Sequence, residues 1–142
     1  MPMWTIYHSP GFLDGQEKRD LASRIADHYE AVGLPRFYVV TVFRETSPED
    51  MYVGGEPSSA AVRISVDHIA RHASDAESRR RNAEWIKGMI APTLNNYPDV
   101  HWEFHADETS EQLWMINGLF PPPGGSTAEE TWAKDGFPSA YS

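Results

Sequence analysis

The order of periodicities along the chain limits its fold more than any single motif does. A strand pattern, a helix pattern and a second strand pattern follow one another, and after a loop the same order returns about 60 residues later. Pro2 to Ser9 carries Trp4, Thr5, Ile6 and Tyr7, residues that suit a pleated strand, and Ser9-Pro10-Gly11 ends it. Asp14 and Glu17 have capping-box spacing, and Leu21, Ile25, Tyr29 and Val32 then form one apolar stripe, so a helix is predicted from near Asp14. Gly33 and Pro35 stop it. Phe37 to Phe43 is apolar on both faces, as a strand covered on both sides would be.

Arg44 to Ala60 reads as a loop, with Pro48, Gly54, Gly55 and Pro57. Ala61 to Asp67 alternates Val62, Ile64 and Val66 with Arg63, Ser65 and Asp67, the pattern of a half-buried strand. Ser74 and Glu77 read as a second capping box. The helix behind it shows Ala83, Ile86, Ile90 and Leu94 on one face and Arg79, Arg80 and Arg81 on the other. Pro92 is expected to kink or end it. Val100, Trp102 and Phe104 make the fourth strand.

A crossover helix between two strands favours parallel pairing and a right-handed connection. The expected class is α/β (α+β): two fused β-α-β units forming one four-stranded sheet with both helices on one face. At 142 residues the chain is read as a single domain, with pseudo-repeats at about 2–45 and 60–106 and a C-terminal arm at about 107–142. Trp4, Tyr38 and Trp102 are expected on the bare sheet face, to be covered by other subunits. In the arm, Thr109 to Gln112 caps a short helix ending near Ile116, Gly118 to Gly125 runs extended, and Ser126 with Glu129 caps a last helix.

Charge and composition narrow the partners. Twelve basic residues against 21 acidic ones give a net charge of −9, which argues against gripping phosphate backbones. Absence of cysteine excludes a disulfide framework, a thiolate zinc site and a cysteine nucleophile. His68 and His72, like His101 and His105, are four apart, but no carboxylate completes a ligand set, so no metal is expected; His68 is read as a structural histidine tying down the Arg71 loop. No apolar run approaches the ~18 residues of a membrane span, and the N-terminus lacks a signal-peptide pattern, so a cytoplasmic location is expected.

Several segments carry a family resemblance. The Pro2 start, Tyr52-Val53-Gly54-Gly55-Glu56, Ile64 to Arg71 and Leu119 to Gly124 resemble the tautomerase superfamily, and within it the cis-3-chloroacrylic acid dehalogenase group. Trp4 to His8, Gly33 to Val39, His68 to Arg71 and Leu113 to Leu119 are similar to an oxalocrotonate tautomerase-like branch of that group. The resemblance implies a homotrimer and a cofactor-free active site built on an N-terminal proline.

On that resemblance Pro2, freed by loss of Met1, is the catalytic amine. A secondary amine among apolar groups loses its proton readily and can act as a general base near pH 7, or, kept protonated, as an acid; with Met1 retained, Pro2 is an amide and can do neither. Arg71 matches the family's arginine for a substrate carboxylate, which a guanidinium can hold through two parallel hydrogen bonds. The dehalogenases carry a second arginine where Ser74 stands. Tyr29, with His28 beside it, falls where they have a histidine, although Tyr29 also fits the apolar stripe. Glu103 falls where they have a tyrosine, and their water-activating glutamate falls near Met115, Ile116 or Asn117, none of them an acid. Asn117 and Trp114 complete the candidate binding residues. The resemblance thus implies a tautomerase of small 2-oxo or unsaturated carboxylic acids with weak hydratase or dehalogenase side activity. The alternative is a non-enzymatic oligomeric binding or signalling module on the same fold.

Overall fold

The computed structural model describes residues 1–142. Strands β1 (Pro2–His8), β2 (Val40–Glu45), β5 (Ala61–Ile69) and β6 (His101–Thr109) form one sheet in the order β2-β1-β5-β6. Helix α1 (Gly15–Ala31) crosses between the parallel pair β1 and β2, and α2 (Ala76–Leu94) between the parallel pair β5 and β6. The two units meet through an antiparallel β1–β5 pairing that sets Pro2 opposite His68 and Trp4 opposite Val66. No helix is long and apolar enough to cross a membrane.

Asp14 caps α1 as a full capping box: its carboxylate accepts from Glu17 N at 2.8 Å, and Asp14 N donates back to Glu17. Leu21, Ile25 and Tyr29 then meet Trp4, Ile6, Ile64 and Val66 in a core that α2 closes with Ile86, Met89, Ile90 and Leu94. Full burial of each such aliphatic side chain stabilises by about 1.5–3 kcal/mol. In β1 and β5 alternate residues face this core, so both helices lie on one face of the sheet.

Several local expectations give way. Phe37 and Tyr38 lie in a 3-10 turn, Arg36–Tyr38, which Pro35 opens and which closes on a Tyr38 N to Pro35 O bond of 3.0 Å. The strand that follows, β2, is an edge strand with no fully buried residue. Its Phe43 meets His8 edge-on and lies under Lys18 at the sheet margin, and the strand does not have two covered faces. Asp75, not Ser74, caps α2, accepting from Ser78 N at 2.7 Å; the two frames differ by one residue, and the Asp frame prevails. Pro92 lies inside α2. It and Gly88, whose carbonyl it leaves unpaired, are both exposed, so water can satisfy that carbonyl. The 44–60 loop contains a small hairpin of β3 (Tyr52–Val53) and β4 (Glu56–Pro57).

The bare sheet face is not built as expected. Trp4 is fully buried under the helices and Trp102, paired with Val62, lies on that same side, while Tyr38 is outside the sheet. The register instead brings Met3, Thr5, Tyr7, Val40 and Val42 to the open face beside Arg63, Glu103 and His105. Parity decides this: in a strand, residues two apart share a face, and Trp4 shares its parity with the core residue Ile6.

In the arm, the helix expected up to Ile116 is only the turn Glu111–Leu113. A tight turn follows: Ile116 and Leu119 exchange both backbone hydrogen bonds at 2.9 Å around Asn117 and Gly118, whose φ values are +50° and +79°. Helix α3 (Thr127–Asp135) is capped by Ser126, as expected, and anchors through the buried Trp132.

Candidate active site

Proline at the head of β1 costs the sheet no hydrogen bond from its own nitrogen. Met1 continues the ladders outward: its amine donates to Tyr38 O and its carbonyl accepts from Ile69 N, both at 3.1 Å. Met1 as a whole residue is 6% exposed. The amine is therefore desolvated, and its pKa falls from 8.0 to about 4, chiefly through burial and then through the charge of Arg71, with Glu129 opposing. It is a neutral amine at pH 7.

Arg71 stands just past β5. Ala70 and Arg71 both adopt left-handed backbone, φ +63° and +54°, a conformation that costs a non-glycine residue of order 1–3 kcal/mol. The turn is held by Ala70 N to Thr109 O at 3.0 Å and by His72 Nε2, which donates to the same carbonyl at 2.7 Å. It aims the guanidinium across the arm. There Glu129 Oε1 accepts from Arg71 Nη2 at 2.5 Å and from Gly125 N at 3.1 Å. The Glu129 side chain is 5% exposed. Gly124 gives the guanidinium its seat: a Cβ there would lie 2.7 Å from both Nε and Nη2.

A cavity of about 430 Å³ opens between these groups, walled by Met1, Arg71, Glu129, Tyr38, Trp114 and Phe120 among others. Tyr38 is 4% exposed, with Trp114 edge-on at 5.0 Å; its hydroxyl makes no hydrogen bond of good geometry, and the Glu129 carboxylate is the acceptor nearest to one. Burial and the Glu129 charge raise its pKa, so the hydroxyl stays protonated. A second hollow of about 300 Å³ shares Met1 and Arg71 and is lined by Tyr29, His68 and Trp85.

Tyr29 and His68 are the inner end of a hydrogen-bonded chain. Trp4 Nε1 donates to Tyr29 Oη at 3.2 Å, and Tyr29 Oη lies 2.5 Å from His68 Nε2. Indole can only donate, so the tyrosine proton points to Nε2, which assigns a neutral imidazole protonated on Nδ1. Burial lowers the His68 pKa and raises that of Tyr29, in keeping with that assignment.

Of the residues singled out in the sequence, the fold brings Pro2, Arg71, Tyr29 and Trp114 to the surroundings of the terminal amine. His28 is outside: its Nδ1 contacts Arg24 O at 2.8 Å and its ring meets Trp85 edge-on. Glu103 lies on the open sheet face, 3.5 Å from Arg63 and across from it in register, at the far end of β5 from His68. Asn117 forms the tight turn of the arm and lines neither cavity. Ser74 is exposed. Two groups of the cavity, Glu129 and Tyr38, were not singled out. Glu129 is visible in the sequence only as a cap partner and Tyr38 only as a strand residue. The Arg71–Glu129 contact spans 58 positions, and no local pattern encodes it.

Two fused β-α-β units, with a buried terminal amine, an arginine and a carboxylate around one cavity, define a tautomerase-like protein. The chain belongs to the tautomerase superfamily, in the family described as "Putative oxalocrotonate tautomerase enzyme", which it matches over residues 1–136. The structure of native RhCC from Rhodococcus jostii RHA1 is similar to it with a TM-score of 0.91 and 38% identity, covering 98% of this chain and 99% of that one. A protein of the thermophilic fungus Aspergillus fumigatus, described as "a probable enzyme", is similar at 35% identity and TM-score 0.92, with 99% and 98% covered. N1, a member of the cis-3-chloroacrylic acid dehalogenase family, shares the fold at TM-score 0.71 and 18% identity, with 94% and 96% covered. No curated protein matches the chain.

Proposed function

We propose that the protein is a cofactor-independent keto–enol tautomerase of small 2-oxo carboxylic acids, working as a homotrimer. The observation that carries this is a buried, neutral terminal amine in one cavity with a guanidinium. Loss of Met1 would remove the side chain that walls both hollows and leave the secondary amine of Pro2 at the head of β1. The amine takes the hydroxyl proton of the enol and returns it to C3 as the oxygen becomes a carbonyl. Arg71 holds the carboxylate with the N–H groups that Glu129 leaves free. Tyr38 donates its unpartnered hydroxyl to the 2-oxo oxygen as charge shifts there. Hydrolytic dehalogenation is expected to be weak, because no second arginine replaces Ser74 and Glu129 is engaged by Arg71.

The non-enzymatic alternative rests on one observation: a retained Met1 fills the site and makes Pro2 an amide. Intact mass and decay of a phenylpyruvate enol separate the two readings. Protein without Met1 should ketonise the enol, and Pro2→Ala should lose most of that rate with its oligomeric state unchanged. Full activity in Pro2→Ala, or in protein that keeps Met1, would refute the proline base.

A further inference from the structure

The family description names oxalocrotonate, which carries two carboxylates. The charges around the site are poorly matched to such a molecule. The larger cavity holds one cation, Arg71, and two acids, Glu111 and Glu129. Its remaining wall is largely aromatic or proline, from Trp114, Phe120, Pro121 and Pro122. The second hollow adds no further cation: besides the shared Arg71 it holds Tyr29, Trp85, Asn82 and an imidazole whose other partner is a tyrosine hydroxyl. Arg79, the nearest following arginine, is paired with Glu108 at 3.3 Å in an adjoining hollow that shares His68 and Asn82 with the second one, and it lines neither cavity at Met1.

Glu129 is the decisive member of this set. Its carboxylate is buried and already neutralises the one cation, while Gly124 and the left-handed turn at Ala70 and Arg71 fix the guanidinium against it. A first substrate carboxylate can still take the free N–H groups of Arg71. A second would enter a largely apolar wall that offers no cation and places two acids near it, so it gains no partner and meets like charge.

We infer that this site selects monocarboxylates with an apolar tail over dicarboxylates, and that Glu129 is the residue that sets the selection. The inference rests on the tautomerase reading for its kinetic form, but not for its binding form. The test uses matched pairs. The enols of phenylpyruvate and of its 4-carboxy derivative differ only in the second carboxylate, and the enol of oxalocrotonate is the family's eponymous compound. The native protein should favour the phenylpyruvate enol over both diacids by at least tenfold in kcat/KM. Glu129→Gln keeps an acceptor for Gly125 N and removes one negative charge, so it should narrow that preference at least fivefold. Glu130→Gln, an exposed neighbour, should leave it unchanged.

Equal turnover of mono- and diacids by the native protein overturns the inference, since a second cation must then reach the substrate. So does a preference that Glu129→Gln leaves intact. Binding of the non-reacting acids 3-phenylpropanoate and its 4-carboxy derivative, followed by calorimetric titration, keeps the two readings apart. If no enol is turned over, the tautomerase reading fails, and the charge selection stands or falls on whether the monoacid binds at least tenfold tighter. A circular dichroism melt checks that Glu129→Gln is folded; should it not be, the native protein's preference and the same titrations on Glu111→Gln, which removes the other acid, decide the charge argument.

Discussion

Arg71 is held by three neighbours that do different jobs: a left-handed turn aims it, Gly124 gives it room, and Glu129 neutralises it. Gly124 has no need of glycine for its own backbone, so its role can be tested cleanly. Gly124→Ala should drive the guanidinium from its seat and lose one charge-assisted contact to the substrate, worth about 1.5–3 kcal/mol, or roughly ten- to a hundredfold in kcat/KM. The same displacement takes the buried Glu129 carboxylate from its partner, so the melting temperature should fall as well, and Arg71→Gln should not add to the loss in kcat/KM. The amine answers to pH in a predictable direction. In protein that keeps Met1, the folded amine titrates at about 4 and the unfolded one at 8.0, so the unfolded state binds more protons between those values. Stability should therefore be full above pH 8 and fall as the pH drops from 8 towards 4. A pH series of denaturant melts checks this; blocking the amine by acetylation should flatten the slope. Burial and Arg71 act on a Pro2 amine in the same sense, so kcat/KM should fall on the acid side with an apparent pKa below 8, and Arg71→Gln should move that inflection upward.

Among the elements, α3 does most for the site relative to its length. Ser126 caps it and accepts from Glu129 N at 3.2 Å, which fixes the residue whose carboxylate reaches Arg71. Ser126→Ala should cost about 0.5–2 kcal/mol of stability. It should also raise KM for the 2-oxo acid more than it lowers kcat, because a loosened Glu129 no longer positions the arginine. Helix α1 and β5 are joined through Tyr29 and His68, and Tyr29→Phe would leave His68 Nε2 and Trp4 Nε1 without partners. That should cost about 1–3 kcal/mol in a denaturant titration.

For the whole molecule, the open face of the sheet combines Met3, Tyr7, Val40 and Val42 with Arg63, Glu103 and His105. Such a mixed face suits an interface better than the aromatic one expected from the sequence, since charged and hydrogen-bonding groups fix the register of approach. Light scattering should give a trimer at micromolar concentration, and Val42→Glu should shift it towards monomer. A native protein that runs as a stable monomer would count against the assembly.

The two fused β-α-β units were legible in the chain because each element repeats its hydrophobic residues at its own period, and period is a local property. The same holds for Asp14 and Ser126, whose capping partners lie three residues away. Local signals failed where two frames competed. Ser74 and Asp75 both fit a cap, and apolar Phe37 and Tyr38 fit a strand until Pro35 opened a turn. Resemblance singled out Pro2 and Arg71 as members of one site. What the sequence alone did not contain is the group that faces Arg71. Glu129 is an ordinary cap partner until α3 folds back over the loop after β5, and a buried ion pair forms only between residues that long-range packing has brought together. Tyr38 likewise became part of a cavity wall only when Trp114 and Trp132 packed against it. Periodicity fixes which face of an element is buried; tertiary packing decides which buried groups meet, because it closes distances that no local rule spans.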